Sequence, residues 1–161
     1  MSQFDPAAFL SATTTDMNIK RPPLPTENPA SPDGLYTATI GDLGHRSGTI
    51  GKGDKIGQPW MQVTVPLKIE VPQALQESMK MPPVVTLTDG VFIDLTAEGN
   101  MDNAPGKNRS QRQYRDATGL NNPGQPFAWA MVTGRPVKVK VSHELYNNEV
   151  VERVGGIFKA Q

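Results

Sequence analysis

Four cations crowd one stretch of the chain. In "GKNRSQRQYRDATGL" (residues 106–120), Lys107, Arg109, Arg112 and Arg115 stand two or three residues apart, Tyr114 lies between two arginines, and no carboxylate appears before Asp116. The spacing predicts a helix beginning near Ser110 with Gly119 as its C-terminal cap. Arg112 and Arg115, three apart, then share a face. Lys107 and Arg109 precede the helix, at the positive end of its dipole. Cations in this arrangement suit phosphate, and an aromatic among them suits a stacked base. The plainer alternative is a solvated helix whose Arg112 or Arg115 pairs with Asp116 or with the acids of segment 89–102.

Other chemistry is poorly supplied. Asp89, Asp94, Glu98 and Asp102 fit neither one strand face nor a calcium loop, and read as a solvated acidic loop. His45 and His143 are the only histidines, and His143 ends an alternating strand on its inward parity, where a structural role is expected. There is no cysteine to act as a nucleophile or zinc ligand, and no Gly-x-Ser-x-Gly. Lys68 and Glu70 share a wet strand face without a catalytic partner. The chain is therefore expected to be non-enzymatic, with no cofactor and no metal.

The elements that must position these residues read mainly as β. "GLYTATIG" alternates as a first strand, with Tyr36, Ala38 and Ile40 on one side. "GDLGHRSGTIGKGDKIGQ" carries Arg46, Lys52 and Lys55 but lacks a phosphate-loop pattern, and reads as a mobile hairpin connection. "WMQVTVPLKIEV" is the clearest strand. Met61 to Val71 hold the inward parity, and Trp60, Gln62, Thr64 and Lys68 the wet one, with Pro66 indicating an edge or a bulge. "PQALQESMK" suits a short helix. "VVTLTDGVFIDL" reads as one strand, or two kinked at Asp89–Gly90, with Phe92 and Asp94 outward. "FAWAMVTG" suits a short helix with Phe127 and Met131 inward. "RPVKVKVSH" turns Val137, Val139 and Val141 in and Lys138 and Lys140 out. Asn147–Asn148 tolerate positive φ and make a hairpin turn, leaving Tyr146 at its tip.

Ahead of these lies a distinct segment. "FDPAAFLSA" reads as a short helix capped by Asp5, with Pro6 in its first turn and Phe9 and Leu10 giving it an apolar side. Prolines at 22, 23, 25, 29 and 32 then make an extended arm. The arm either lies on its own domain or docks on a neighbouring subunit, which would make it a route to homo-oligomers. The division expected is 1–33 for the helix and Pro-rich arm and 34–161 for the domain.

Sixteen basic and sixteen acidic residues cancel in the 161-residue chain, so long-range attraction to a polyanion must come from charge segregated in space. No stretch is apolar enough to span a membrane. The N-terminus lacks the basic and apolar runs of a signal peptide. With no cysteine, this suits a reducing cytoplasm. Five main strands with a helix between the third and fourth match an OB-like, five-stranded, partly open barrel with one or two short helices. In such barrels the middle strands and two loops form the ligand groove. The candidate binding set is accordingly Arg46, Lys52, Lys55, Trp60, Lys68, Phe92, Lys107, Arg109, Arg112, Tyr114, Lys138, Lys140 and Tyr146.

The stretches "DGLYTATIGD", "VFIDLTAEGNMDNAPGKNRSQRQYRDATGLN", "PGQPF" and "GRPVKVKVSHE" together resemble a group of small bacteriophage proteins that bind single-stranded DNA on an OB-like fold. The resemblance implies a non-enzymatic role in DNA replication or recombination in the cytoplasm of an infected cell, with phage or host replication proteins as partners. Many single-stranded-DNA-binding proteins recruit partners through an acidic tail. This sequence ends "GGIFKAQ", so recruitment by that route is not expected. Two alternatives from other classes are a virion decoration or head-completion subunit, which an extended arm also suits, and a small inhibitor of a host enzyme.

Overall fold

A computed structural model describes residues 4–17 and 19–160. Residues 1–3 and Asn18 of the expected arm, and Gln161 of the tail, lie outside them. The chain runs α1 (Pro6–Phe9), β1 (Tyr36–Ile40), β2 (Gly44–Thr49), β3 (Pro59–Glu70), α2 (Gln73–Ser78), β4 (Val84–Ile93) and α3 (Arg109–Thr118). A 3-10 turn (Trp129–Val132), β5 (Pro136–Tyr146) and β6 (Glu149–Lys159) complete it.

The fold is mainly β: among the described residues, six antiparallel strands form one open sheet. β3 is the central strand. One edge of β3 pairs first with β2 and then with β1, and its other edge pairs with β4 along nearly its whole length. β1 continues to β5, and β5 to β6. β4 and β6 approach one another, and α3 packs against β4, β5 and β6.

The core follows from the alternation. Tyr36, Ala38 and Ile40, Val63 to Ile69 at every second position, and Val137, Val139 and Val141 are all buried. Pro66 is not at an edge but opposite an irregularity, where residues 41–43 of the β1–β2 junction span only residues 65 and 66 of β3. Its carbonyl accepts from the Gly41 N–H at 2.8 Å, so its missing N–H faces the junction where β1 gives way to β2 and no ladder bond is lost. The Gly-rich stretch is more regular than its composition suggests. Its first part is β2, and only residues 50–58 form the turn. Asp89–Gly90 does not kink the chain, and β4 runs through it. In "FAWAMVTG" it is Val132 that is fully buried, while Met131 is exposed and Phe127 only packs beside the core.

The arm lies on its own domain from Arg21 onward. Glu152 accepts from both terminal nitrogens of Arg21, at 2.7 and 3.1 Å, and from the Leu24 N–H at 2.7 Å. His143 Nε2 donates to the Leu24 carbonyl at 2.6 Å, and Tyr36 to the Pro25 carbonyl at 2.8 Å. Leu24 is fully buried. Burial, reinforced by the Glu152 charge, pushes the Tyr36 phenol up to about 12. Residues before Arg21 present Phe4, Phe9, Leu10, Met17 and Ile19 to solvent, so the expected apolar side of α1 is not buried.

Candidate nucleic-acid interface

Strand register assembles one outer face. Arg46 of β2 stands opposite Gln62 of β3, and Gln62 stands opposite Phe92 of β4. Directly opposed residues point to the same side of a sheet, so these three form a row across three strands. Trp60, two residues before Gln62, joins the face, and its ring centroid lies 6.1 Å from that of Phe92 at a tilt of 58°. Phe92 is 66% exposed, so its ring is open to a ligand.

Two strand glycines let these side chains lie flat. Gly48 is paired with Trp60, and a Cβ there would meet the indole Nε1 at 2.8 Å. A Cβ on Gly90 would collide with the Gln62 amide. Both glycines occupy wet-parity positions next to large side chains, which is where a glycine inside a strand signals close approach.

The other expected residues fall into separate places. Lys68 is exposed on the same face of β3, opposite Thr39 and Thr86. Lys52 and Lys55 are exposed on the 50–58 turn that joins β2 to β3. Lys138 and Lys140 lie two strands away from β3, on the outer side of β5. The Lys138 ammonium donates to Asp33 at 2.8 Å. That bond, with those from the Ser31 hydroxyl and the Leu35 N–H, holds the Asp33 carboxyl well below the usual range. Lys138 is thus engaged in pinning the arm. Tyr146 is exposed beside the Asn147–Asn148 turn, both of whose residues have positive φ.

The basic cluster is split by its helix. Tyr114 is buried and donates to Asp89 at 2.6 Å, so it cannot serve as a stacking platform, contrary to expectation. Burial first, and the Asp89 charge second, push its phenol well above the ordinary value; burial also raises Asp89. Lys107 and Arg109 are exposed and make no ion pair among the described residues. Arg112 meets Asp116 at 3.6 Å, with both side chains more than half exposed. Arg115 stacks 4.9 Å over the Phe127 ring. Asp89, Asp94 and Asp102 bind groups outside the basic side chains. Asp94 accepts from the Asn108 N–H at 2.6 Å, and Asp102 from the Ala104 N–H at 3.0 Å. Among the described residues no three such side chains converge as metal ligands.

Asp94 also connects the two regions. It lies two residues beyond Phe92, and the Asn108 side chain returns a bond to its N–H at 2.8 Å. The start of the basic helix is thereby tied to the end of the strand that carries the aromatic face.

One aromatic escapes the sequence pattern. Phe158 of β6 is opposite Lys138, half exposed, and covers Gly156. A bulge opposite Lys140/Val141 adds a residue to β6, so inward positions change from even to odd numbers on passing it. The Gly155–Gly156 pair is its only signal in the sequence. No family model and no curated protein matches this chain. Among the described residues, no helix is long and apolar enough to cross a membrane.

Proposed function

We propose that this chain coats single-stranded DNA without sequence preference, acting in replication or recombination in the cytoplasm of a phage-infected cell. The observation that carries this reading is the Trp60–Phe92 pair on the outer face of β3 and β4, in register with Arg46. Bases stack on such aromatics whatever their identity, and cations beside them track the backbone. The strand order supports an OB-like barrel. If β1 and β2 count as one interrupted strand, the sheet has five, with α3 between the third and fourth. In that fold the 50–58 turn and the β5–β6 hairpin correspond to the two loops that flank the ligand groove.

The test is fluorescence of a Trp129→Phe protein, in which Trp60 is the sole indole. Titration with a poly-dT oligonucleotide should quench it, with affinity falling steeply as salt rises. Equal affinity for duplex and single strands, or for neither, overturns the reading; an RNA oligonucleotide fixes the sugar preference.

A second reading, a lattice-forming virion subunit, is favoured by one observation. Five large apolar side chains before Arg21 (Phe4, Phe9, Leu10, Met17 and Ile19) are exposed. Co-purification with particles, without oligonucleotide binding, would establish it instead.

A further inference from the structure

A second recess lies away from the aromatic face, between the 102–108 loop and the flank of α3. It is a cavity of about 200 Å³ lined by Lys107, Arg112 and Arg115, with Asp102, Gln111 and Asn121 among the remaining walls. That volume is below the usual range for whole small molecules, roughly 300–1,000 Å³. It suits one charged group.

The three cations are differently prepared. Arg115 is held in place from behind: its guanidinium stacks on Phe127, and its Nε donates to the Leu120 carbonyl at 3.4 Å. Its two terminal nitrogens have no partner among the described residues, and they form the half of the guanidinium that grips an oxyanion as a fork. Lys107 makes no ion pair among the described residues. Arg112 faces Asp116 only through Nε at 3.6 Å, an exposed contact of the kind that contributes little and yields to a better partner. Asp102 is the one carboxylate in the wall among the described residues, and its Oδ1 is turned to the Ala104 N–H. Asp116 stands just behind the wall, against Arg112 and Asn121, so three positive charges against two leave a surplus of one around a single small cavity.

The geometry points to a seat for one phosphomonoester group rather than a backbone diester: three cationic side chains line the recess, and a monoester presents three free oxygens where a diester presents two. If the chain binds single strands, as proposed above, the natural source is a strand's terminal phosphate; free phosphate is the other.

Equilibrium dialysis with radiolabelled inorganic phosphate at fixed ionic strength tests this. One phosphate per chain should be retained. Lys107→Gln, which disturbs no internal contact, should weaken retention several-fold, and Arg115→Gln about tenfold or more. Arg46→Gln, on the aromatic face, should leave it unchanged. A 5′-phosphorylated tetrathymidylate should displace the label at lower concentration than its 5′-hydroxyl counterpart if strand ends are the source; phosphate displacing label while both oligonucleotides fail assigns the seat to free phosphate. No retained phosphate, retention unaffected by Lys107→Gln and Arg115→Gln, or equal displacement by the two oligonucleotides overturns the seat. Quenching of Trp60 by DNA without phosphate retention removes the seat alone. Retention without quenching removes the DNA reading alone.

Discussion

The Tyr114 hydroxyl donates to the Asp89 carboxylate at 2.6 Å, and this bond joins the helix of the basic cluster to the strand of Phe92. It fixes which way α3 is rolled. With Tyr114 turned into the core, Arg112 is left on the solvent side. Tyr114→Phe should destabilise the protein by about 1–3 kcal/mol, because a half-buried carboxyl group loses its donor. Urea unfolding with an unchanged slope would measure it.

The same pair sets a pH dependence. Burial raises the Asp89 carboxyl above its ordinary value. The folded protein therefore holds that proton more tightly than the unfolded chain. Its contribution to stability is full at low pH and declines as pH rises from the unfolded value, about 3.9, through the raised folded one. Asp33, held low by Lys138, works in the opposite sense and loses its contribution as pH falls through its depressed value. Asp89→Asn isolates the first effect. It should melt no earlier than the parent at pH 7 and lose the parent's advantage on acidification. A variant whose melting follows pH as the parent's does would show that Asp89 titrates alike in the folded and unfolded chain.

How far the sequence can be read depends on which rule governs each residue. Val137, Val139 and Val141, the Gly119 cap and the Asn147–Asn148 turn follow local rules, and the structure agrees. Period two alone puts Trp60 and Phe92 on the wet parity, and they stand on one outer face. Tyr114 defies its sequence context because its surroundings are charged only along the chain. On a helix, neighbours in the chain point elsewhere, and its actual partner is 25 residues away. Pro66 needs no sheet edge, because the gap it occupies is a junction between two strands that pair with one. Phe158 and Glu152 are hidden from a period-two reading by the parity change at the bulge.

Stacking on the aromatic face should be separable from folding. Trp60→Ala and Phe92→Ala should each weaken oligonucleotide binding by about 1–3 kcal/mol. Melting should change little for Phe92→Ala, whose ring is mostly exposed. Gly90→Val should weaken binding by displacing Gln62 without removing an aromatic. Anisotropy titrations at one salt concentration compare all three.

The arm should be held by its anchor and not by its tip. Glu152 is 10% exposed and accepts three bonds from Arg21 and Leu24. Glu152→Ala leaves the Arg21 charge unpaired, and because the Arg21 side chain is 32% exposed the cost should fall below the roughly 3–5 kcal/mol of a fully buried pair. Protease should then cut within residues 20–30. Deleting the first 19 residues removes none of these bonds, and melting should stay within about 0.5 kcal/mol of the parent. A deletion that melts much earlier would place the exposed apolar side chains in a stabilising contact.

The exposed end of the cluster gives the sharpest separation between binding and structure. Arg109 has no ion-pair partner among the described residues, and Arg112 has only the 3.6 Å approach to Asp116. Replacing both with Gln should therefore leave melting nearly unchanged, since an exposed i,i+4 pair contributes about 0.3–0.5 kcal/mol. If both residues track phosphates, the double variant binds more weakly at every salt concentration. The slope of log affinity against log salt flattens by about 0.7 for each phosphate of a single strand that is no longer neutralised. Weaker binding with the slope preserved would mean the arginines shape the surface without neutralising phosphate. Early melting with both affinity and slope intact would make the cluster a structural element of α3 and leave the aromatic face to bind alone.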